Sequence, residues 1–136
     1  MNRNDLSHSV IFPIGEKLDS ENFTGAVWVN MLIPSASGLG YPIANVTFEP
    51  GCRNNWHSHP GGQILLVTGG SGWYQERGKQ ARALQAGDVV EIGKNVEHWH
   101  GAAADSWFVH LAVMVNADAG PAEWLEVVSD EDYSQL

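Results

Sequence analysis

Tyr41-Pro42-Ile43-Ala44-Asn45-Val46-Thr47-Phe48-Glu49-Pro50-Gly51 alternates along most of its length. Ala44, Val46 and Phe48 fall on one face, and Asn45, Thr47 and Glu49 on the other. That is the period-two pattern of a half-buried strand, and Pro50-Gly51 ends it. Upstream, Thr24 to Ile33 is rich in apolar and β-branched residues, with Pro34 to Gly40 a turn by composition. Downstream come short segments divided by turn residues. Gln63 to Thr68, Trp73 to Glu76, Ala81 to Gln85, Val89 to Ile92, Val96 to His100 and Trp107 to Val115 each read as a strand. Gly69 to Gly72, Arg77 to Lys79, Ala86 to Asp88, Gly93 to Asn95 and Gly101 to Asp105 read as turns between them. No window between residues 24 and 116 carries a 3.6-residue stripe. About eight short strands with glycine-rich turns predict an all-β domain, a small antiparallel barrel or sandwich.

The ends differ from this middle. Residues 1–22 carry little pattern and read as an arm, with Phe12 and Ile14 around Pro13 able to dock on the domain. Residues 23–117 form the barrel and 118–136 an acidic segment packed on it. In that segment Pro121 to Trp124 could open a helical turn, with proline at its first position. Ser129-Asp130-Glu131-Asp132 reads as an N-cap followed by acids, the start of a short helix.

Seven Lys or Arg against 16 Asp or Glu give the 136 residues a formal charge of −9. Six of the acids lie between Asp118 and Leu136, where there is no cation. They are expected to form a solvated face. So few cations exclude a phosphate-neutralising surface, so no nucleic-acid partner is expected. Cys52 has no partner cysteine, which rules out an internal disulfide. No apolar run spans a bilayer, and the polar Met1 to Asp5 does not open a secretory signal. A cytoplasmic protein without a membrane partner is expected.

The chemistry lies with the histidines. Five of the six fall between residues 57 and 110. Trp56-His57-Ser58-His59-Pro60-Gly61-Gly62-Gln63 places His57 and His59 on one face if extended, about 7 Å apart along the chain. Both can then reach one ion. Pro60-Gly61-Gly62 supplies a bend that could bring Gln63 back to them. His98-Trp99-His100 repeats the spacing. Imidazole is the commonest ligand of transition metals. Three histidines and an amide oxygen would leave an ion its full charge and open positions, unlike a closed, thiolate-rich structural zinc site. His8 stands alone in the arm and is assigned no role.

These residues resemble a known motif pair. Gly51, His57-x-His59, Gln63 and Gly70 are spaced as in the first signature of the cupin superfamily, which usually has Glu at the position of Gln63. Gly87, Gly93 and His98 follow the second, with Gly93, Asn95 and Ala102 replacing its usual Pro, Gly and Asn. The resemblance implies a small jelly-roll-like antiparallel β-barrel holding one divalent ion, commonly manganese, iron, nickel or zinc. Its ligands by position would be His57, His59, Gln63 and His98.

A narrower resemblance extends over most of the chain. Phe23-Thr24-Gly25, Val46 to Gly51, Trp56-His57, Gly87 to Val90, His98 to Ala103, His110-Leu111-Ala112 and Trp124-Leu125-Glu126 look like the bacterial manganese-dependent hydroxynitrile lyases. That group lies within the cupins associated with carboxymuconolactone decarboxylase-like proteins. It implies manganese as the metal, a non-ligand base at His110, and Ala44 and Val46 in the pocket wall.

The residues around His110 support a base independently. Phe108, Ala112 and Met114 share its strand face, so they are expected to line the pocket with it. A histidine buried there stays neutral, because burial disfavours the imidazolium. His100 shares the face of His98 and is the second candidate for acid–base work. Trp56 and Trp99 point away from the ligand face and are expected to brace the wall, and Cys52 is read as a spectator.

The sequence therefore predicts a metal-dependent lyase acting on a small-molecule substrate, with cyanohydrin cleavage implied by the resemblance. An oxygen-dependent dioxygenase and a non-catalytic metal- or ligand-binding cupin are the rivals. Strands apolar on both faces, such as Trp107 to Val115, predict a homodimer or homotetramer.

Overall fold

The computed structural model describes residues 11–136; His8 and the start of the arm lie outside that range. Among the described residues, twelve strands, β1 (Glu16–Leu18), β2 (Phe23–Thr24), β3 (Val27–Ile33), β4 (Ile43–Phe48), β5 (Arg53–Asn54), β6 (His57–Ser58), β7 (Gln63–Glu76), β8 (Arg82–Gln85), β9 (Val89–Ile92), β10 (His98–Ala102), β11 (Phe108–Met114) and β12 (Glu123–Trp124), precede one α-helix, α1 (Asp130–Ser134). Every pairing is antiparallel. The path runs β1-β3-β4-β11-β7-β10-β5-β2, with β9 and β8 on β7 and with β6 between β10 and β12. The result is a curled half-barrel, the all-β fold that the alternation predicts.

One strand makes the curl. The first half of β7 pairs with β11 and β9, and its second half with β10 and β8. Gly69 to Gly72, expected as a turn, instead run through the middle of this 14-residue strand. These glycines serve close approach. A Cβ on Gly70, at φ +70°, would sit 1.8 Å from the carbonyl oxygen of Trp107. One on Gly72 would meet the Gly101 carbonyl oxygen at 2.4 Å and the ring of Phe108 at 2.6 Å. The register with β11 also shifts between Val109 and His110, a bulge that bends the pair further. Gly70→Ala should therefore cost about 2 kcal/mol or more, since left-handed φ and backbone overlap act together. The check is the fall in the urea midpoint; an unchanged midpoint would contradict it.

The interior is filled from alternating positions. Val27, Phe48, Leu65, Val90 and Phe108 are almost fully buried. Cys52 is buried too, and burial pushes its thiol up to about 12, with Glu49 adding to the shift. It should resist iodoacetamide at pH 8 in the folded protein and react after unfolding, as mass spectrometry would show.

Two further expectations are corrected. The arm is not wholly loose: β1 pairs with β3, and the Pro13 carbonyl oxygen accepts from the side-chain amides of Asn30 and Asn45 at 2.9 and 3.3 Å. Thr24 closes β2, and Gly25, at φ +92°, separates it from β3. Pro121 to Trp124 does not begin a helix: Glu123 and Trp124 form β12 against β6, where the backbone of Trp56 exchanges hydrogen bonds with Leu125 and Glu126. The second helix start is found as expected, with the Ser129 hydroxyl accepting the Asp132 N–H at 3.0 Å. All six tail acids are exposed. Two of them also hold the segment in place, Glu126 on Arg77 and Asp130 on the buried Arg53. Arg53 lies 4.4 Å from the ring centre of Tyr133, whose hydroxyl donates to the Ala102 carbonyl oxygen.

Candidate metal centre

The histidines reach one place through strand pairing. His57 on β6 is the cross-strand partner of His98 on β10 and of Trp124 on β12. Its ring lies 4.2 Å from that of His98 and stacks at 4.6 Å on the indole. His59 follows where the chain leaves β6. Its carbonyl oxygen accepts the N–H groups of Gly62 and Asn95, and its ring is 5.0 Å from that of His57 and 5.6 Å from that of His98. The bend at Pro60-Gly61-Gly62 is tight, because a Cβ on Gly61 would lie 2.1 Å from the Val115 carbonyl oxygen. It returns the chain so that Gln63 opens β7. There Gln63 shares the buried face with Leu65 and Val67.

Hydrogen bonds settle which ring nitrogens are free. His57 Nδ1 donates to the Asn55 carbonyl oxygen and His98 Nδ1 to that of Val96, each at 2.8 Å. A carbonyl oxygen only accepts, so both rings keep the lone pair on Nε2. The buried atoms without a partner include His98 Nε2, both ring nitrogens of His59 and Gln63 Oε1. Leaving a buried polar atom unpaired costs about 1–3 kcal/mol. Several such acceptors side by side fit a cation among them. Burial pushes His57 down to about 2 and His59 to about 4, with the neighbouring His98 adding to both shifts, and it lowers His98 as well. These imidazoles are therefore neutral at pH 7, the form that binds metal.

His100 belongs to the same cluster. Ring nitrogens of His57, His98 and His100 lie within 4.8 Å of one another, a buried trio that fits a divalent ion. His100 differs from His59 in that its ring already has partners. Its Nδ1 is 3.2 Å from His110 Nε2, and its Nε2 is 3.2 Å from Asn54 Nδ2.

A cavity of about 220 Å³ opens onto this cluster. Ala44, Val46, Ala112 and Met114 line it, as do His57, His59, Gln63, His100 and His110. His98 lies behind them, fully buried. Phe108 does not reach the cavity. It is wholly enclosed, stacked 5.9 Å from Phe48 and edge-on to His110 at 5.4 Å, because its place on β11 faces the crossing of β7 at Gly70. His110 is also fully buried, opposite Val46 and Val67. Burial holds its imidazole down at about 4. Trp56 and Trp99 stay out of the cavity. Arg77 sits 4.1 Å over Trp56, and Trp99 donates to Gln75 Oε1 at 2.9 Å. Sequence reasoning missed Phe23, Asn54 and Trp124 in the wall. Only the pairing of the short strands β2, β5 and β12 brings them there.

A curled antiparallel half-barrel with a buried histidine cluster beside its cavity is the architecture of the cupins, and the chain belongs to the cupin domain family, whose sequence model matches residues 44–128. Among its relatives is an (R)-mandelonitrile lyase of Granulicella tundricola, 42% identical over 111 residues that make up 82% of this chain and 85% of the relative. A crystal structure of a cupin-like protein from Thermotoga maritima is 54% identical, with a TM-score of 0.90 over 93% of this chain and 96% of that one. The polyketide cyclase RemF of Streptomyces resistomycificus shares the fold at 14% identity, with a TM-score of 0.70 over 100% of this chain and 92% of that one. No helix among the described residues is long and apolar enough to cross a membrane.

Proposed function

We propose that the protein is a metal-dependent lyase that cleaves cyanohydrins to an aldehyde and hydrogen cyanide. The observation that carries this reading is the meeting, in one apolar cavity, of unpaired metal-type donors and a neutral buried histidine, His110. The 42% identity to a mandelonitrile lyase supports it. In this reading His57, His59, Gln63 and His98 hold one manganese ion. His59 and Gln63 are preferred over His100 because His59's ring nitrogens and Gln63 Oε1 have no partner outside the cluster, whereas His100 Nδ1 faces His110 Nε2 at 3.2 Å.

The chemistry such an ion supplies is Lewis-acid polarisation of a substrate oxygen. His110 takes the hydroxyl proton as the bond between the carbinol carbon and the nitrile breaks. The electron pair of that bond leaves on cyanide while the C=O bond forms. The proton then passes from His110 to cyanide, which leaves as hydrogen cyanide and restores neutral His110. Ala44, Val46, Ala112 and Met114 give the cavity apolar walls that limit water around the reacting atoms. A homodimer or homotetramer is part of the reading, supported by the exposed Met31, Leu39 and Tyr41 in and around the β3–β4 connection.

The test is an assay of manganese-loaded protein on mandelonitrile and on aliphatic cyanohydrins, following aldehyde release. Release that depends on metal is expected. If every cyanohydrin survives, the lyase reading is wrong. Oxygen uptake with enediols would then point to a dioxygenase, and ligand binding without turnover to a binding cupin.

A further inference from the structure

The cavity has two unlike walls. One sheet supplies small or flexible side chains: Met31 on β3, Ala44 and Val46 on β4, Ala112 and Met114 on β11. The other supplies rings. Phe23 on β2 and Trp124 on β12 line that side, their ring centres 6.1 Å apart and tilted by 54°. Each is braced from within, Trp124 by stacking on His57 at 4.6 Å and Phe23 by the buried Phe48 at 6.0 Å. Trp124 nevertheless stays 38% exposed, and Met31 on the other wall 50%, so these two mark the rim.

Cross-strand register leaves room beside His110. His110 pairs with Val46, and the next row on the same face pairs Ala112 with Ala44, and Ala44 with Met31. Successive rows lie about 7 Å apart along a strand, within reach of a ring attached to a carbon held near His110. Two methyl groups make that row shallow. An apolar cavity of about 150 Å³ holds benzene. The volume here, about 220 Å³, takes a ring with a one-carbon polar head.

We propose that Trp124 and Phe23 are specificity-determining residues: they clamp a flat aryl substituent against the row formed by Ala44 and Ala112, and so favour aryl over alkyl cyanohydrins. Contacts between aromatic rings add to the effect of buried area, whereas an alkyl chain gains the area alone. The sorting of cyanohydrins rests on the lyase reading; the aryl slot itself does not.

Ligand-observed ¹⁹F NMR on the full-length protein, with and without zinc, reads the slot apart from turnover. The probe is 4-fluorobenzyl alcohol, and 3,3,3-trifluoropropan-1-ol is its alkyl counterpart. The wild type should bind the aryl probe more tightly. Trp124→Leu and Phe23→Leu each keep an apolar side chain but no ring. Each should weaken the aryl probe by about 3- to 10-fold, the worth of an aromatic contact, and the alkyl probe by less than about 2-fold. Ala44→Leu fills the row from a half-buried position and should abolish binding of the aryl probe. In the manganese form, the ratio of kcat/KM on mandelonitrile to that on 2-hydroxybutanenitrile should fall in Trp124→Leu by the same factor as the binding. Equal losses of both probes in the leucine variants of the two rings, no loss of either, or undiminished aryl binding in Ala44→Leu overturns the inference. If neither ring variant folds, Ala44→Leu and the wild-type preference decide it, and a wild type without that preference overturns it. Aryl-selective binding by a wild type that cleaves no cyanohydrin would uphold the slot and overturn the lyase reading alone. Cleavage without aryl preference would do the reverse.

Discussion

Replacing His110 by alanine is expected to lower cyanohydrin cleavage by about 10²–10⁴-fold while about one ion per chain stays bound. The separation follows from where His110 stands. It lines the cavity from β11, whereas the imidazole trio comes from β6 and β10. Its Nε2 lies 3.2 Å from His100 Nδ1, and burial keeps its imidazole neutral at pH 7. Alanine would leave His100 Nδ1 without that partner, at a cost in stability of about 1–3 kcal/mol. The thermal midpoint should therefore fall, and the assay belongs well below it. Metal analysis beside single-turnover rates checks the claim. A metal-replete variant with wild-type kcat would remove His110 from the chemistry.

The second large effect concerns the metal. His98→Ala should take the bound ion from about one per chain to nearly none after dialysis. Changing groups that merely support ligands already costs about 10–100-fold in affinity, so removal of a ligand should exceed that. His98 is the informative first choice because it belongs both to the buried trio and to the set of free donors. Added manganese should raise the wild-type melting temperature and leave that of His98→Ala unmoved, because only binding to the folded state stabilises it. His59→Ala and His100→Ala then separate the two ligand sets. The proposed set requires that the first lose the ion and the second retain it. The reverse outcome would transfer the fourth position to His100.

Much of this centre was legible in the sequence, and for a local reason. His57 and His59 are two residues apart, and so are His98 and His100, so each pair needed only local geometry to place it. Alternation along Ala44 to Phe48 likewise exposes a strand face without reference to any neighbour. What could not be read depends on partners remote in sequence. Asn54, Phe23 and Trp124 lie on strands of two residues, too short to show a period. Their positions follow only from pairing with β2, β5 and β6. Phe108 was misplaced because face parity ignores depth: it shares the face of His110 but lies where the sheet closes over it. Gly69 to Gly72 misled for the opposite reason. Glycine marks both a reversal and a close crossing of backbones, and only the crossing partners, Trp107 and Gly101, distinguish the two.

The long strand through those glycines has a consequence for how the chain acquires its structure. Neither sheet is complete without β7, since β11 and β9 need its first half and β10 and β8 its second. Neither half of the barrel completes its pairing before β7 is in place. Many of those pairings join residues remote in sequence, and such pairings carry a loop-closure cost that slows folding. The site inherits that dependence: Gln63 stands at the first residue of β7, and the β10 histidines pair with its far end at Tyr74 and Glu76.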